Sequence, residues 1–181
     1  MLTEAEKSEI GELLWRPFDR LRVTPSEVEG RDHDPRAACV EAMKIVQAHR
    51  GWVSDEALRD LAALLEMSPD ELDSVATFYS LIFRRPVGKH VIKVCDSLVC
   101  WSLGFTPSGV EGSQSLMEHL ERKLGVKAGE TTADGRFTLL PICCLGDCDH
   151  APVMMVDDRP VRNLTPEVLD SVLAEYAAEE V

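Results

Sequence analysis

The sequence predicts an α+β / α/β protein in two parts: an N-terminal helical bundle over residues 1–87 and a β-α-β-β-β-α domain over residues 88–181. Up to Pro86 the apolar residues recur at helical spacing, and their runs open on capping signals. Beyond Gly88 they gather into short strand-length runs interrupted by one amphipathic helix. The 45% hydrophobic composition is that of a globular chain, and no apolar run approaches bilayer-spanning length, so no direct membrane insertion is expected.

Thr3 and Glu6 form a capping box that opens a short polar helix fading near Trp15. Residues 16–34 keep no period. After Pro35 an apolar face follows through Ala37, Ala38, Val40, Met43, Ile45 and Val46, and Gly51 stops it. Ser54 starts a helix that turns Leu58, Leu61, Ala62 and Leu65 inward. Ser68-Pro69-Asp70-Glu71 starts another, which presents Leu72, Val75 and Phe78 to the core. Arg85-Pro86-Val87-Gly88 then turns the chain out of the bundle.

His90 to Cys95 reads as the first strand, and Ser113 to Leu124 as an amphipathic helix ended by Gly125. Phe137 to Leu140 and Val153 to Val156 are further strands, Asp157-Asp158-Arg159-Pro160 turns toward a last one, and Thr165-Pro166-Glu167 starts the final helix. The first strand, helix and second strand can form a parallel crossover, which makes the arrangement thioredoxin-like. The heptapeptide Thr24-Pro25-Ser26-Glu27-Val28-Glu29-Gly30 returns as Thr106-Pro107-Ser108-Gly109-Val110-Glu111-Gly112 with one difference. A single return is no solenoid, and the turn-rich composition marks residues 16–33 and 105–112 as insertion loops.

A formal charge of −13 repels phosphate backbones, so no nucleic acid is expected as a partner. The opening residues Met1 to Lys7 lack the apolar core of a secretory signal and the acid-poor character of a transit peptide, which makes the cytoplasm the expected compartment. Six cysteines in a reducing compartment point to metal or redox chemistry and away from a disulfide framework.

Cys95 and Cys100 enclose four residues, and Cys144 and Cys148 enclose three. Two loops with two thiolates apiece suit a [2Fe–2S] cluster, in which each iron takes two sulfurs in tetrahedral geometry. Gly146, and Gly104 after Cys100, would let the backbone approach the cluster with its N–H groups. Structural zinc also fits four paired thiols, and a thiol–disulfide enzyme is the weaker rival because a Cys-x-x-Cys helix start is absent. The spacing differs from that of plant-type ferredoxins. Cys143 is expected to be buried and idle, Cys39 to be a small core residue, and His150 to stay outside a ligand set already complete. Asp96, Asp147 and Asp149 flank the thiolates and would disfavour added negative charge, placing the potential at about −400 mV, as for all-cysteine [2Fe–2S] ferredoxins. No Gly-rich phosphate loop occurs, so flavin and nicotinamide are expected on another chain.

The runs Ala76-Thr77-Phe78-Tyr79-Ser80, Arg85 to His90, Cys95 to Cys100, Gly129 to Thr132, Asp134 to Leu140, and Cys144 to Cys148 with Ala151-Pro152 resemble the thioredoxin-like [2Fe–2S] subunit family of respiratory complex I, NADH:quinone oxidoreductase. The resemblance spans about Asp34 to Tyr176 and departs at residues 16–33 and 105–112. It implies Cys95, Cys100, Cys144 and Cys148 as ligands of one [2Fe–2S] cluster that exchanges single electrons with the FMN of the NADH-binding partner subunit. It also implies other peripheral-arm subunits as partners, and a place on the cytoplasmic side of the inner membrane through the complex. Relatives of this family serve NAD-linked hydrogenases and formate dehydrogenases, which leaves those assemblies as alternatives.

Overall fold

The computed structural model describes residues 1–15, 34–103 and 116–178. The two expected insertion loops, both heptapeptides, Gly104 and the expected helix start at Ser113 lie outside them. The chain divides into two compact units, Met1–Pro86 and Val87–Val181.

The first unit is helical: α1 (Glu4–Trp15), a 3₁₀ turn (Pro35–Ala38), α2 (Cys39–Arg50), α3 (Asp55–Leu64) and α4 (Pro69–Phe78). Local chemistry sets these ends. Asp34 accepts from the Arg36 N–H, Ser54 from the Ala57 N–H, and Ser68 and Glu71 exchange both bonds of a capping box. Gly51 closes α2 at φ +79°. The core collects Ile10, Met43, Val46, Leu58, Leu61, Leu65 and Leu72, each nearly or fully buried.

Two sequence expectations fail here. Ala37 is exposed in the 3₁₀ turn, because the helical face begins only at Ala38. Phe78 is 80% exposed rather than inward. Leu72 and Ala76 define the buried stripe of α4, and six residues past Leu72 the helix has rotated to its opposite side.

Glu6 does more than close the box at Thr3. Its carboxylate accepts from the Thr3 N–H at 2.6 Å and from Arg50 Nε at 2.5 Å and Nη2 at 2.6 Å, while Arg50 also reaches the Met1 carbonyl at 3.0 Å. The start of α1 is thus tied to the end of α2. A second clamp holds the chain after α4: Arg84 bonds Asp73 at 2.7 Å, Asp55 at 2.6 Å and the Val53 carbonyl.

The second unit contains β1 (His90–Cys95), α5 (Leu98–Leu103), α6 (Leu116–Leu124), β2 (Phe137–Ile142), β3 (Met154–Val156), β4 (Arg159–Val161) and α7 (Pro166–Ala178). The sheet order is β2-β1-β3-β4, with β1 parallel to β2 and the remaining pairs antiparallel. This is the thioredoxin-like α+β arrangement. All six positions of β1 are buried, as suits a strand flanked on both edges and covered on both faces. Leu120, Leu139, Met154 and Leu169 centre the core of α6, the sheet and α7. Gly88 enters the sheet under a steric constraint, since a Cβ there would meet the Arg136 carbonyl carbon at 2.9 Å. Its N–H donates to Thr138 Oγ1 at 2.6 Å.

The Arg50 guanidinium, with the Thr3 donors, holds the fully buried Glu6 carboxyl down to about 2 from 4.5. A depressed acid contributes stability that is complete above pH 4.5 and is lost as pH falls toward 2. Glu6→Gln is expected to cost about 3 kcal/mol at pH 7 and to flatten the acid limb of the stability curve between those values. Urea unfolding at a series of pH values measures both.

Candidate metal centre

Strand polarity assembles the site. The parallel register sets Cys95 of β1 beside Ile142 of β2, so the residues following each strand emerge at one end of the sheet. β3 runs antiparallel to β1, and the segment preceding it returns to that same end. Backbone bonds join the three: the Cys95 N–H donates to Val153 O at 3.2 Å and the Asp96 N–H to Ile142 O at 2.8 Å.

Past Cys95 the chain turns into α5, a helix within and beyond the first cysteine loop that the strand-and-helix periodicity did not reveal. Six residues are too few to show an amphipathic period. This helix brings Cys100 to 3% exposure beside Cys95 at 7%. The Cys95 thiol raises the Cys100 thiol and the Val153 backbone N–H acts on it in the opposite direction. Burial, then the adjacent Cys95 thiol, pushes the Cys100 thiol up to about 11. Leu145 and Ala151, from the second loop, pack on Cys95, Cys100 and Val153.

The second pair faces outward. Cys144 and Cys148 are exposed, with their sulfurs 3.9 Å apart. Gly146 between them adopts φ +79°, and its N–H points at the Cys144 sulfur at 3.4 Å. A Cβ at Gly146 would meet nothing within 4 Å, so the glycine answers to backbone conformation and not to space. Hydrogen bonding and charge from Cys144 raise the Cys148 thiol, and Cys95 acts on it in the same direction.

Asp147 fastens this loop. It accepts from Arg162 Nε, just past β4, and from His150 Nδ1 at 2.7 Å; Arg162 first and His150 second hold its carboxyl below the usual range. The Asn163 N–H on His150 O and the Leu164 N–H on Pro152 O, both at 2.9 Å, add backbone ties, and the Ala151–Pro152 bond is cis. His150 Nδ1 also lies 3.3 Å from Asp149, so His150 faces both carboxylates while Arg162 pairs with Asp147. The carboxylate expected to add bare negative charge at position 147 is therefore matched by a guanidinium.

Cys143 departs from expectation: it is exposed, not buried. β2 ends at Ile142 and the chain bends at Cys143, so the in–out alternation of an extended strand no longer governs the adjacent pair. Cys39 is half-buried against the helical core of the other unit.

The donor set suits a [2Fe–2S] cluster. Four thiols stand on two loops at one end of the sheet, and Cys95 and Cys148 raise Cys100 while Cys95 raises Cys148. Such mutual repulsion among thiolates is relieved by a cationic metal centre bound between them. One pair is buried and the other open, so the site reaches the surface without being immersed in solvent.

The family model described as "Thioredoxin-like [2Fe-2S] ferredoxin" matches residues 26–177. A subunit of the NADH-quinone oxidoreductase of Escherichia coli (strain K12) is 51% identical over 143 residues, covering 79% of this chain and 81% of that protein. The subunit of the same name from Pseudomonas aeruginosa is 44% identical over 164 residues, covering 87% of this chain and 94% of that protein. A solved NAD+-reducing [NiFe]-hydrogenase in its H2-reduced state superposes with a TM-score of 0.64 at 24% identity. The match covers 80% of this chain and 23% of that one, about a quarter of the hydrogenase chain.

Serine is a hard donor and replaces a soft thiolate poorly. Cys95→Ser, Cys100→Ser, Cys144→Ser and Cys148→Ser are each expected to lose most of the bound iron and visible absorbance, whereas Cys143→Ser keeps both. Iron analysis of the purified variants decides it, and equal losses from Cys143→Ser and Cys144→Ser would reassign the ligand within that adjacent pair.

Proposed function

The chain belongs to the thioredoxin-like [2Fe–2S] ferredoxin family, and from that premise we propose that Cys95, Cys100, Cys144 and Cys148 hold one [2Fe–2S] cluster that exchanges single electrons with the flavin of an NADH-oxidising partner subunit. The chain is an electron-transfer subunit of an NADH–quinone oxidoreductase, as its relatives of 44% and 51% identity are named. The observation that carries the ligand reading is the meeting of both cysteine loops at one end of the parallel β1–β2 pair.

When bound, the cluster supplies one-electron exchange at low potential. The protein's own residues do the rest. Cys95 and Cys100 anchor one side in a pocket closed by Val153, Leu145 and Ala151, which keeps water from half of the site. Cys144 and Cys148 bring the other side to the surface, where a partner's cofactor can approach. The Gly146 N–H points at the Cys144 sulfur, and the Val153 N–H lowers the Cys100 thiol; backbone donors of this kind stabilise negative charge there. Arg162 offsets Asp147 beside Cys148.

NADH delivers a hydride, and conversion of a two-electron donor to one-electron steps calls for a flavin. A cavity of about 570 Å³ lies beside Phe137, Leu124, Leu173 and Asp170. It stands at the opening end of β2, a strand length or roughly 20 Å from the cysteine loops, which does not suit a donor to the cluster. The flavin and nicotinamide sites are assigned to the partner subunit, and association through that complex would hold the chain at the cytoplasmic face of the inner membrane. Among the described residues no helix is long and apolar enough to cross a membrane.

Purified holoprotein mixed with NADH in a stopped-flow instrument is expected to keep its visible cluster bands, and addition of the flavoprotein subunit of the same complex is expected to bleach them. Bleaching by NADH alone would place a nicotinamide site on this chain.

A further inference from the structure

The two halves of the cysteine site differ in a way that matters before any cluster is bound. Cys95 and Cys100 are 7% and 3% exposed, out of reach of a bulky oxidant, while Cys144 and Cys148 are open to solvent with sulfurs 3.9 Å apart. A disulfide needs a separation of about 2.05 Å, so the closing movement is roughly 2 Å. The intervening Leu145-Gly146-Asp147 lies in neither a helix nor a strand, and the side-chain ties that fasten it are made by Asp147 and not by either cysteine, so the closing movement falls to the two exposed cysteine side chains. Cys143 is exposed as well, but the sulfur–sulfur contact belongs to Cys144.

We infer that in the cluster-free chain Cys144 and Cys148 form a reversible disulfide on encounter with a small organic disulfide of the glutathione class, while Cys95 and Cys100 remain thiols. One of the two exposed cysteines, as thiolate, attacks a sulfur of the organic disulfide; that S–S bond breaks and one thiol leaves, taking up a proton. The other cysteine then loses its proton and attacks the protein sulfur of the mixed disulfide, forming the Cys144–Cys148 bond and expelling the second thiol. Two cysteine thiols thereby lose two electrons and two protons, and one organic disulfide becomes two thiols. Proximity favours the second step over attack by a further external thiol. The consequence for assembly rests on the ligand reading above: with two of four donors withdrawn, the chain cannot accept a cluster until a reductant reopens the pair.

The test uses the full-length chain, stripped of metal under reducing conditions, checked by circular dichroism, and exposed to oxidised glutathione before alkylation and trypsin digestion. The peptide spanning Phe137 to Arg162 should carry one alkyl group, on Cys143, and lack two hydrogens for the link between Cys144 and Cys148, whereas the reduced control carries three alkyl groups. Of the six cysteines, four should remain reactive after denaturation. The same link should form in Cys143→Ser and vanish in Cys148→Ser. A link through Cys143, loss of free Cys95 or Cys100, or glutathione adducts without any link would overturn the inference. Iron and sulfide reconstitution supplies the second readout: the oxidised chain should take up about tenfold less iron than the reduced one, and dithiothreitol should restore uptake. Equal uptake by the oxidised and reduced chains would overturn the assembly block. Failure of the reduced chain to take up iron would instead strike the ligand reading, leaving the mapped link to stand or fall by itself.

Discussion

The site depends on one pairing, the parallel alignment of β1 with β2 from His90↔Phe137 to Cys95↔Ile142. Because both strands point the same way, both cysteine loops leave the sheet at the same end. A slip of one residue would turn Cys95 to the other face and separate the pairs. The register is guarded at its opening end, where Gly88 lies so close to the Arg136 carbonyl that no side chain fits, and by two further backbone bonds, from the Lys89 N–H to Gly135 O and from the His90 N–H to Arg136 O. At the closing end the Asp96 N–H to Ile142 O bond extends the ladder past the last paired residue. A parallel pair also demands a crossover, and the one here contains α5 and α6, so the connection that topology requires carries Cys100.

The electrostatics of the second loop follow from the same geometry. A chain of net charge −13 that binds an anionic cluster must limit the charge gathered at that point. Arg162, brought beside Asp147 by the β3–β4 hairpin, does so locally while fixing the loop between Cys144 and Cys148. The two buried thiols receive apolar cover from Val153, Leu145 and Ala151 instead of counter-charge. Arg162 thus both ties the loop and offsets the carboxylate next to Cys148.

Much of this is legible in the sequence where the cause is local. Capping residues Ser54 and Ser68 and the terminators Gly51 and Gly125 act through neighbours a few positions away, and the structure places each helix end within a residue or two of its signal. The paired spacing of the four cysteines is equally visible, because a loop ligand set leaves its trace in short intervals. The parts that escape are set by distant partners. Glu6 reads only as half of a capping box, since Arg50 lies 44 residues away. Asp147 reads as bare charge because Arg162 meets it only through the hairpin. Phe78 reads as inward when its helical phase is judged by Val75, three residues earlier, and not by the stripe of Leu72 and Ala76. Cys143 reads as buried only if the strand continues, and the bend after Ile142 removes that alternation.

Binding of iron and sulfide by the two thiol pairs, as a [2Fe–2S] cluster, is the claim on which the rest stands, and metal identity is the quantity that four sulfurs alone leave open. Low-temperature electron paramagnetic resonance of the reduced protein, combined with iron, sulfide and zinc analysis, measures it directly. The predicted result is a coloured protein with two irons and two sulfides per chain and the signal of a single unpaired electron on reduction. A colourless protein with one zinc per chain and no such signal would contradict the claim.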